Sequence, residues 1–248
     1  MFSVKRVERL ERLERFEAAQ CAVALSLMPT VFTHAIVGLT ASQLCSPKEI
    51  QQDNRAKLLF TALSIALPIA PDFDFLFIPI ARHGSLLDHR GLFHSIAFAL
   101  VLGLVATGFM VRRVQAMTHR RLWLFAYFSM ITASHGLLDS MTRGPQGVAL
   151  FAPFDNHRYF LPVRPMLPSP IWPSQFFSSY GARVLGIEFL LVWTVCCAVL
   201  VARRELTPIA LLFGGRMASL VHMFEKQHKL TAVTLLLLAA IAWVVRTV

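Results

Sequence analysis

The chain has 248 residues, of which 56% are hydrophobic and only 15% charged, and its formal net charge is +10. Soluble domains carry about 25% charged residues, so this composition excludes an ordinary soluble domain and points to a chain that crosses a membrane several times. In such a chain a Lys/Arg surplus collects in cytoplasmic loops; it is not a nucleic-acid footprint, and no nucleic-acid partner is expected.

Residues 1–20, "MFSVKRVERLERLERFEAAQ", place Val7, Leu10, Leu13 and Phe16 at every third position among charged residues, the pattern of an amphipathic or solvated charged helix. A membrane crossing needs roughly 20 mostly apolar residues. The runs that qualify are 29–44, 58–80, 92–111, 122–142, 184–202 and 230–246. The expected fold is therefore all-α, a polytopic bundle of about five to six transmembrane helices. The run 207–214, "TPIALLFG", is short and reads as interfacial. No internal repeat is visible. Cys21, Cys45, Cys196 and Cys197 form no CxxC and no ligand spacing, so they read as apolar filler.

Charge sets the expected orientation. "SPKEIQQDNRAK" (46–57), "RRVQAMTHRR" (112–121) and "RRE" (203–205) are basic on balance and belong in the cytoplasm. Residues 80–92 and 140–184 then lie outside. The N-terminus conflicts with this scheme, because its five Lys/Arg fall outside if 29–44 crosses once. Either 21–44 is not a simple span, or the natural chain begins at Met28. The expected division is a charged extension, 1–27, either dispensable or absent from the natural chain, and one membrane-embedded domain, 28–248.

The outer segment 143–183 holds seven of the 13 prolines and many aromatics. Proline blocks helix, so an irregular loop with interfacial aromatics is expected.

Two aspartates, Asp72 and Asp74, sit inside the apolar run "IALPIAPDFDFLFIPIA" (65–81). An ionised group at the bilayer centre costs at least about 2.5–3.5 kcal/mol, so such residues face a protein interior or a wet cavity. Pro68, Pro71 and Pro79 flank them and should break the helix. Other polar residues fall on the same side. "DHRGLFHS" (88–95) brings His89, Arg90 and His94; "SHGLLDS" (134–140) brings His135 and Asp139, four apart on one helix face. His34 lies in the first span, and "PFDNHRYFLP" (153–162) adds Asp155, His157 and Arg158. No glutamate occurs between Glu49 and Glu188. Aspartate with imidazole is a suitable ligand shell for zinc, or for manganese, and a divalent ion would offset the cost of the carboxylates. Arg90 and Arg158 could hold an anionic substrate, with Asp155 beside them.

Taken in order, "FTHAIVG", "PDFD", "HRGLFHS" and "HGLLD" resemble the LexA-regulated, inner-membrane-associated metal-dependent hydrolase family, itself distantly similar to zinc-dependent phospholipase C and the single-strand nucleases. The resemblance covers residues 28–170 and continues loosely to the end. It implies a bacterial inner-membrane location and a metal-ligand set of His34, Asp72, Asp74, His89, His94, His135 and Asp139. It also implies a phosphoester-type substrate.

Two function classes follow. In the first, a membrane-bound hydrolase cleaves a phosphoester or related bond in a lipid or other amphiphile with a metal-activated water. Asp72, Asp74 and Arg90 are its catalytic candidates, and whichever aspartate does not ligate is the general base. Its site opens on the extracytoplasmic side. In the second, a transporter uses the same His/Asp cluster as an ion or proton pathway. The lack of an inverted repeat and the gathering of polar residues on one side favour the hydrolase. A structural membrane protein would leave the carboxylates unexplained.

Overall fold

A computed structural model describes residues 29–77, 80–82, 84–170 and 173–212. The charged extension 1–27 and the apolar run 230–246 lie outside the described residues. The described part is helical, with no strand beyond two isolated bridges.

Helix α1 spans Val31–Cys45. After the short α2, Lys48–Gln51, α3 runs Asn54–Ala66 and is capped by the Asp53 carboxylate, which accepts the Arg55 N–H at 2.9 Å. At Leu67 the α-helical pattern stops. Pro68 and Pro71 cannot donate to it, and the chain continues as a 3-10 turn, Ala70–Leu76, bent 51° from α3. A second 3-10 turn, Leu92–His94, leads through the N-cap Ser95 into α4, Ile96–Arg113. A further 3-10 turn, Gln115–Arg120, connects α4 to α5, Arg121–Ser140. Past the loop come the short α6, Pro173–Phe176, and α7, Ser179–Glu188. One π turn, Phe189–Trp193, then joins α7 to α8, Thr194–Leu212. The segment expected to be interfacial, from residue 207, continues α8 as far as Leu212.

The expectation of five to six crossings is met only in part. Among the described residues two helices are long and apolar enough to cross a membrane, Ile96–Arg113 and Ser179–Arg203, and the bent pair Asn54–Ala66 with Ala70–Leu76 makes a third. At 15 residues, α1 is about 22 Å long, short of a full hydrocarbon core. The 20-residue α5 is long enough, but it is not among the helices apolar enough to cross.

Helices α1 and α3 pair, as do α4 and α5, and each pair runs antiparallel around a short turn. The two turns meet: Arg120 Nε and Nη2 both lie 3.0 Å from Glu49 Oε1. Two of the three loops expected to be cytoplasmic, 46–57 and 112–121, are thus brought together at one end. Above them Ile50, Phe60, Met110, Met117, Leu124 and Phe128 form an apolar core with no exposed surface. Close approach is needed here, since a Cβ on Gly38 would lie 2.1 Å from the Ser64 carbonyl oxygen. The outward face of α4 leaves Val101, Leu104 and Val105 more than 60% exposed, as suits a lipid-facing helix and not a water-facing one.

At the other end the Pro-rich segment folds across the bundle as a cap. Its main chain is tied down by Ala149 N–H to Arg90 O and Ile96 N–H to Leu150 O, both at 2.9 Å. Phe154 and Phe177 project from this end, 91% and 93% exposed.

Candidate metal centre

The seven ligand candidates lie on four separate elements that end at the capped side of the bundle. His34 is in the first turn of α1, and Asp72 and Asp74 are in the 3-10 turn after the bend. His89 and His94 flank the entry to α4, and His135 and Asp139 lie one turn apart near the end of α5. Gly136 permits the meeting: a Cβ there would lie 2.6 Å from the His94 carbonyl oxygen.

All seven side chains come together. His34 and His135 stack with ring centroids 4.0 Å apart, and His94 packs edge-on to His135 at 4.6 Å. Asp72 Oδ1 lies 3.1 Å from His135 Nε2 and 3.7 Å from His94 Nε2. Asp139 Oδ2 lies 3.4 Å from His94 Nε2 and 3.8 Å from His135 Nε2, while its Oδ1 lies 3.6 Å from His34 Nε2. Three groups have metal-ligand proximity: His34–His135–Asp139, Asp72–His94–His135 and Asp74–His89–His94. Neighbouring ligands of a tetrahedral zinc ion, about 2.1 Å from the metal, are about 3.4 Å apart. The separations around His94 and His135 straddle that value.

Two imidazoles have fixed tautomers. His135 Nδ1 donates to the Pro68 carbonyl at 2.7 Å, an oxygen exposed by the broken helix. His89 Nδ1 donates to Asp74, 3.0 and 3.1 Å from its two oxygens. Each bond leaves Nε2 as the lone-pair nitrogen, the arrangement that orients metal-binding histidines. The Nε2 atoms of His34, His89, His94 and His135 are buried without a hydrogen-bond partner, as are Asp72 Oδ1 and both oxygens of Asp139. Buried polar atoms are normally hydrogen-bonded, so this inward-turned set fits a cation. Its charge agrees: with neutral imidazoles, three carboxylates face one guanidinium, that of Arg90. A low-dielectric interior needs two further positive charges, as imidazolium or as one divalent ion.

The three aspartates differ in access. Asp139 and Asp74 have no exposed side-chain surface, whereas Asp72 keeps 19%. Asp74 is clamped by His89 Nδ1 and by the Arg90 N–H at 3.1 Å.

Arg90, expected to meet substrate, is fully buried. Its Nε lies 3.2 Å from Asp139 Oδ2, Nη1 donates to Gln146 O at 2.7 Å, and Nη2 donates to Thr142 Oγ1. Its backbone takes a φ of 61°, uncommon for a side-chain-bearing residue; that turn allows its N–H to reach Asp74 while its side chain reaches Asp139. A clamp on substrate would require those protein contacts to be released. Arg158 is also committed, donating from Nη1 to His89 O at 2.8 Å and from Nη2 to Ser85 O at 3.2 Å. Asp155 stands apart on the exposed cap. The His157 N–H and Tyr159 hydroxyl, each 2.8 Å away, hold its carboxyl below the ordinary value, and the same bond raises the Tyr159 pKa.

One buried acid escaped the sequence reading. Glu188, at the end of α7, is fully buried and accepts hydrogen bonds from the Thr30 N–H at 2.7 Å, the Thr30 hydroxyl and the Thr33 hydroxyl at 2.6 Å. It caps the N-terminus of α1 from another helix, one turn from His34. A lone glutamate inside the apolar run 184–202 was the available signal.

Comparison with known proteins places this chain in a family. The model of the YdjM inner membrane protein family matches residues 28–209, a stretch that contains the whole cluster and Glu188. The chain belongs to that family. It is similar to inner membrane protein YbcI of Escherichia coli (strain K12), with 35% identity over 167 residues, covering 67% of this chain and 91% of that protein. No solved structure matches. The membrane setting read from composition is thereby established, as an inner-membrane one.

Proposed function

We propose that this inner-membrane protein is a metal-dependent hydrolase acting on a phosphoester or related bond of a lipid-type substrate. One observation carries the reading: the Nε2 atoms of His94 and His135 and the Asp72 oxygen converge without hydrogen bonds, and Asp72 is the one of the three aspartates with exposed side-chain surface. His94, His135 and Asp139 would hold a divalent ion, zinc before manganese, which leaves Asp72 beside it as the carboxylate that does not ligate. Such an ion supplies Lewis acidity and lowers the pKa of a bound water.

The chain's own residues do the rest. Asp72, at the mouth, is placed to accept the proton of an attacking water. Asp74 orients His89, and Arg90 holds Asp139 and closes the inner wall. The substrate class follows from the rim, where Phe73, Phe75 and Leu76 are 55%, 43% and 62% exposed beside the two aspartates. An apolar rim around a polar site suits an amphiphile. We further propose that α1 and α5 also cross, so that the chain is multi-pass, and that charge bias puts the cluster on the extracytoplasmic side. The LexA-regulated hydrolase resemblance agrees with this reading.

A transporter would need polar groups through the bundle. In the half below the cluster the core is apolar, and no Asp, Glu, Lys, Arg or His is fully buried there among the described residues. The test is to purify the full chain in detergent, determine bound metal, and assay phosphoester lipids for headgroup release with and without added zinc. Metal-dependent release that is lost in Asp72→Asn supports the reading. Ion flux in reconstituted vesicles without any hydrolysis overturns it.

A further inference from the structure

The cap carries a second feature that the metal cluster does not use. Immediately after α5, the segments around residues 142–144 and 162–166 run together, held by the Thr142–Met166 bridge and by the Arg143 N–H to Met166 O bond at 2.9 Å. Between them is an open cleft of about 500 Å³ lined by Arg143, Gly144, Pro162 and Arg164. Two guanidiniums share this cleft. Arg143 Nε donates to Arg164 O at 2.8 Å, which fixes the direction of its fork, and Arg164 rests on the Phe160 ring with its carbon 4.5 Å from the centroid. Among the described residues neither arginine has a carboxylate partner. Like charges lining one cleft without a carboxylate counter-ion form an anion site, and guanidinium forks match phosphate geometry bidentately.

The surroundings choose the source of the phosphate. Val163, between Pro162 and Arg164, is 68% exposed, and Phe160 is 37% exposed. The cleft lies a few residues beyond the end of α5, the place where this helix meets the headgroup layer if it crosses as proposed above. Apolar side chains at that level sit in lipid while adjacent arginines reach the headgroups. The two arginines are also on the end away from the basic turns, so the charge bias that orients the chain does not account for them.

We infer that Arg143 and Arg164 bind the phosphate of an anionic phospholipid headgroup, with Val163 and Phe160 against its chains. The inference goes beyond the hydrolase reading and does not depend on a metal or on turnover.

Native mass spectrometry of the full chain, titrated with phosphatidylglycerol or phosphatidylcholine, tests it. The tightest phosphatidylglycerol should bind at least about tenfold more weakly in R143Q/R164Q, since charge-assisted hydrogen bonds are lost. Both positions are exposed and outside the core, so the fold should survive, as an unchanged melting temperature in lipid-free detergent will show. R112Q/R113Q, at the opposite end, should leave that affinity unchanged. Unaltered phosphatidylglycerol binding in R143Q/R164Q overturns the proposal, as does equal affinity for phosphatidylcholine. Displacement of the lipid by millimolar inorganic phosphate would show a soluble-anion site instead, and also overturns it.

Discussion

His135→Ala is the substitution that probes the candidate centre most directly. His135 Nε2 belongs to two of the three ligand groups, and its Nδ1 is fixed by the Pro68 carbonyl. Loss of groups that merely orient a ligand weakens metal binding about 10–100-fold, so removing the ligand itself should exceed that range. The consequence for stability can be worked out. Metal at 100 times its dissociation constant stabilises the native state by about 2.7 kcal/mol. For a protein of this size, each kcal/mol raises the melting temperature by roughly 2–4 °C, so zinc should raise the wild-type value by about 5–10 °C. In H135A that rise should fall below about 2 °C, and elemental analysis should find less than about half of the wild-type zinc. Metal-free H135A should melt only slightly below metal-free wild type: a cavity and an unpaired Pro68 carbonyl are set against relief of a crowded buried imidazole. If H135A keeps its zinc and its zinc-dependent rise, His135 is not a ligand and the centre as drawn is wrong.

Asp74→Asn preserves volume but removes the charge that orients His89. Metal affinity should fall about 10–100-fold, with turnover falling alongside, and equilibrium dialysis showing wild-type affinity would remove Asp74 from the centre. Glu188→Ala leaves the Thr30 N–H and two threonine hydroxyls without their acceptor; a loss of about 3 kcal/mol is expected in a thermal melt, with Glu188→Gln well above Glu188→Ala. Equal melting of both variants and wild type would show that the cap contributes nothing. In a cysteine-free background, a cysteine at Phe154, 91% exposed on the cap, should react with a membrane-impermeant maleimide in spheroplasts of intact cells, and reaction only after permeabilisation would reverse the topology. A chain begun at Met28 should retain metal and activity, and loss of either with normal expression would show that residues 1–27 contribute.

Composition by itself determined the membrane setting, because an excess of apolar residues over charged ones cannot be hidden in so small a soluble domain. It also exposed the metal candidates. Asp72, Asp74, His89, His94, His135 and Asp139 break apolar runs where a polar residue is expensive, and a pattern of exceptions is legible without coordinates. Helix count was less legible. Hydropathy registers length and composition, whereas the bend after Ala66 and the short α1 depend on local backbone geometry and packing. What each polar residue does was decided only by tertiary structure. Arg90 and Arg158 looked free to meet a substrate, yet folding brings Gln146, Thr142 and Asp139 to one and the His89 and Ser85 carbonyls to the other. Asp72 and Asp74 are two residues apart and chemically identical in sequence. The 3-10 turn points one to the mouth and buries the other against His89, a distinction that arises from backbone direction and neighbours far along the chain.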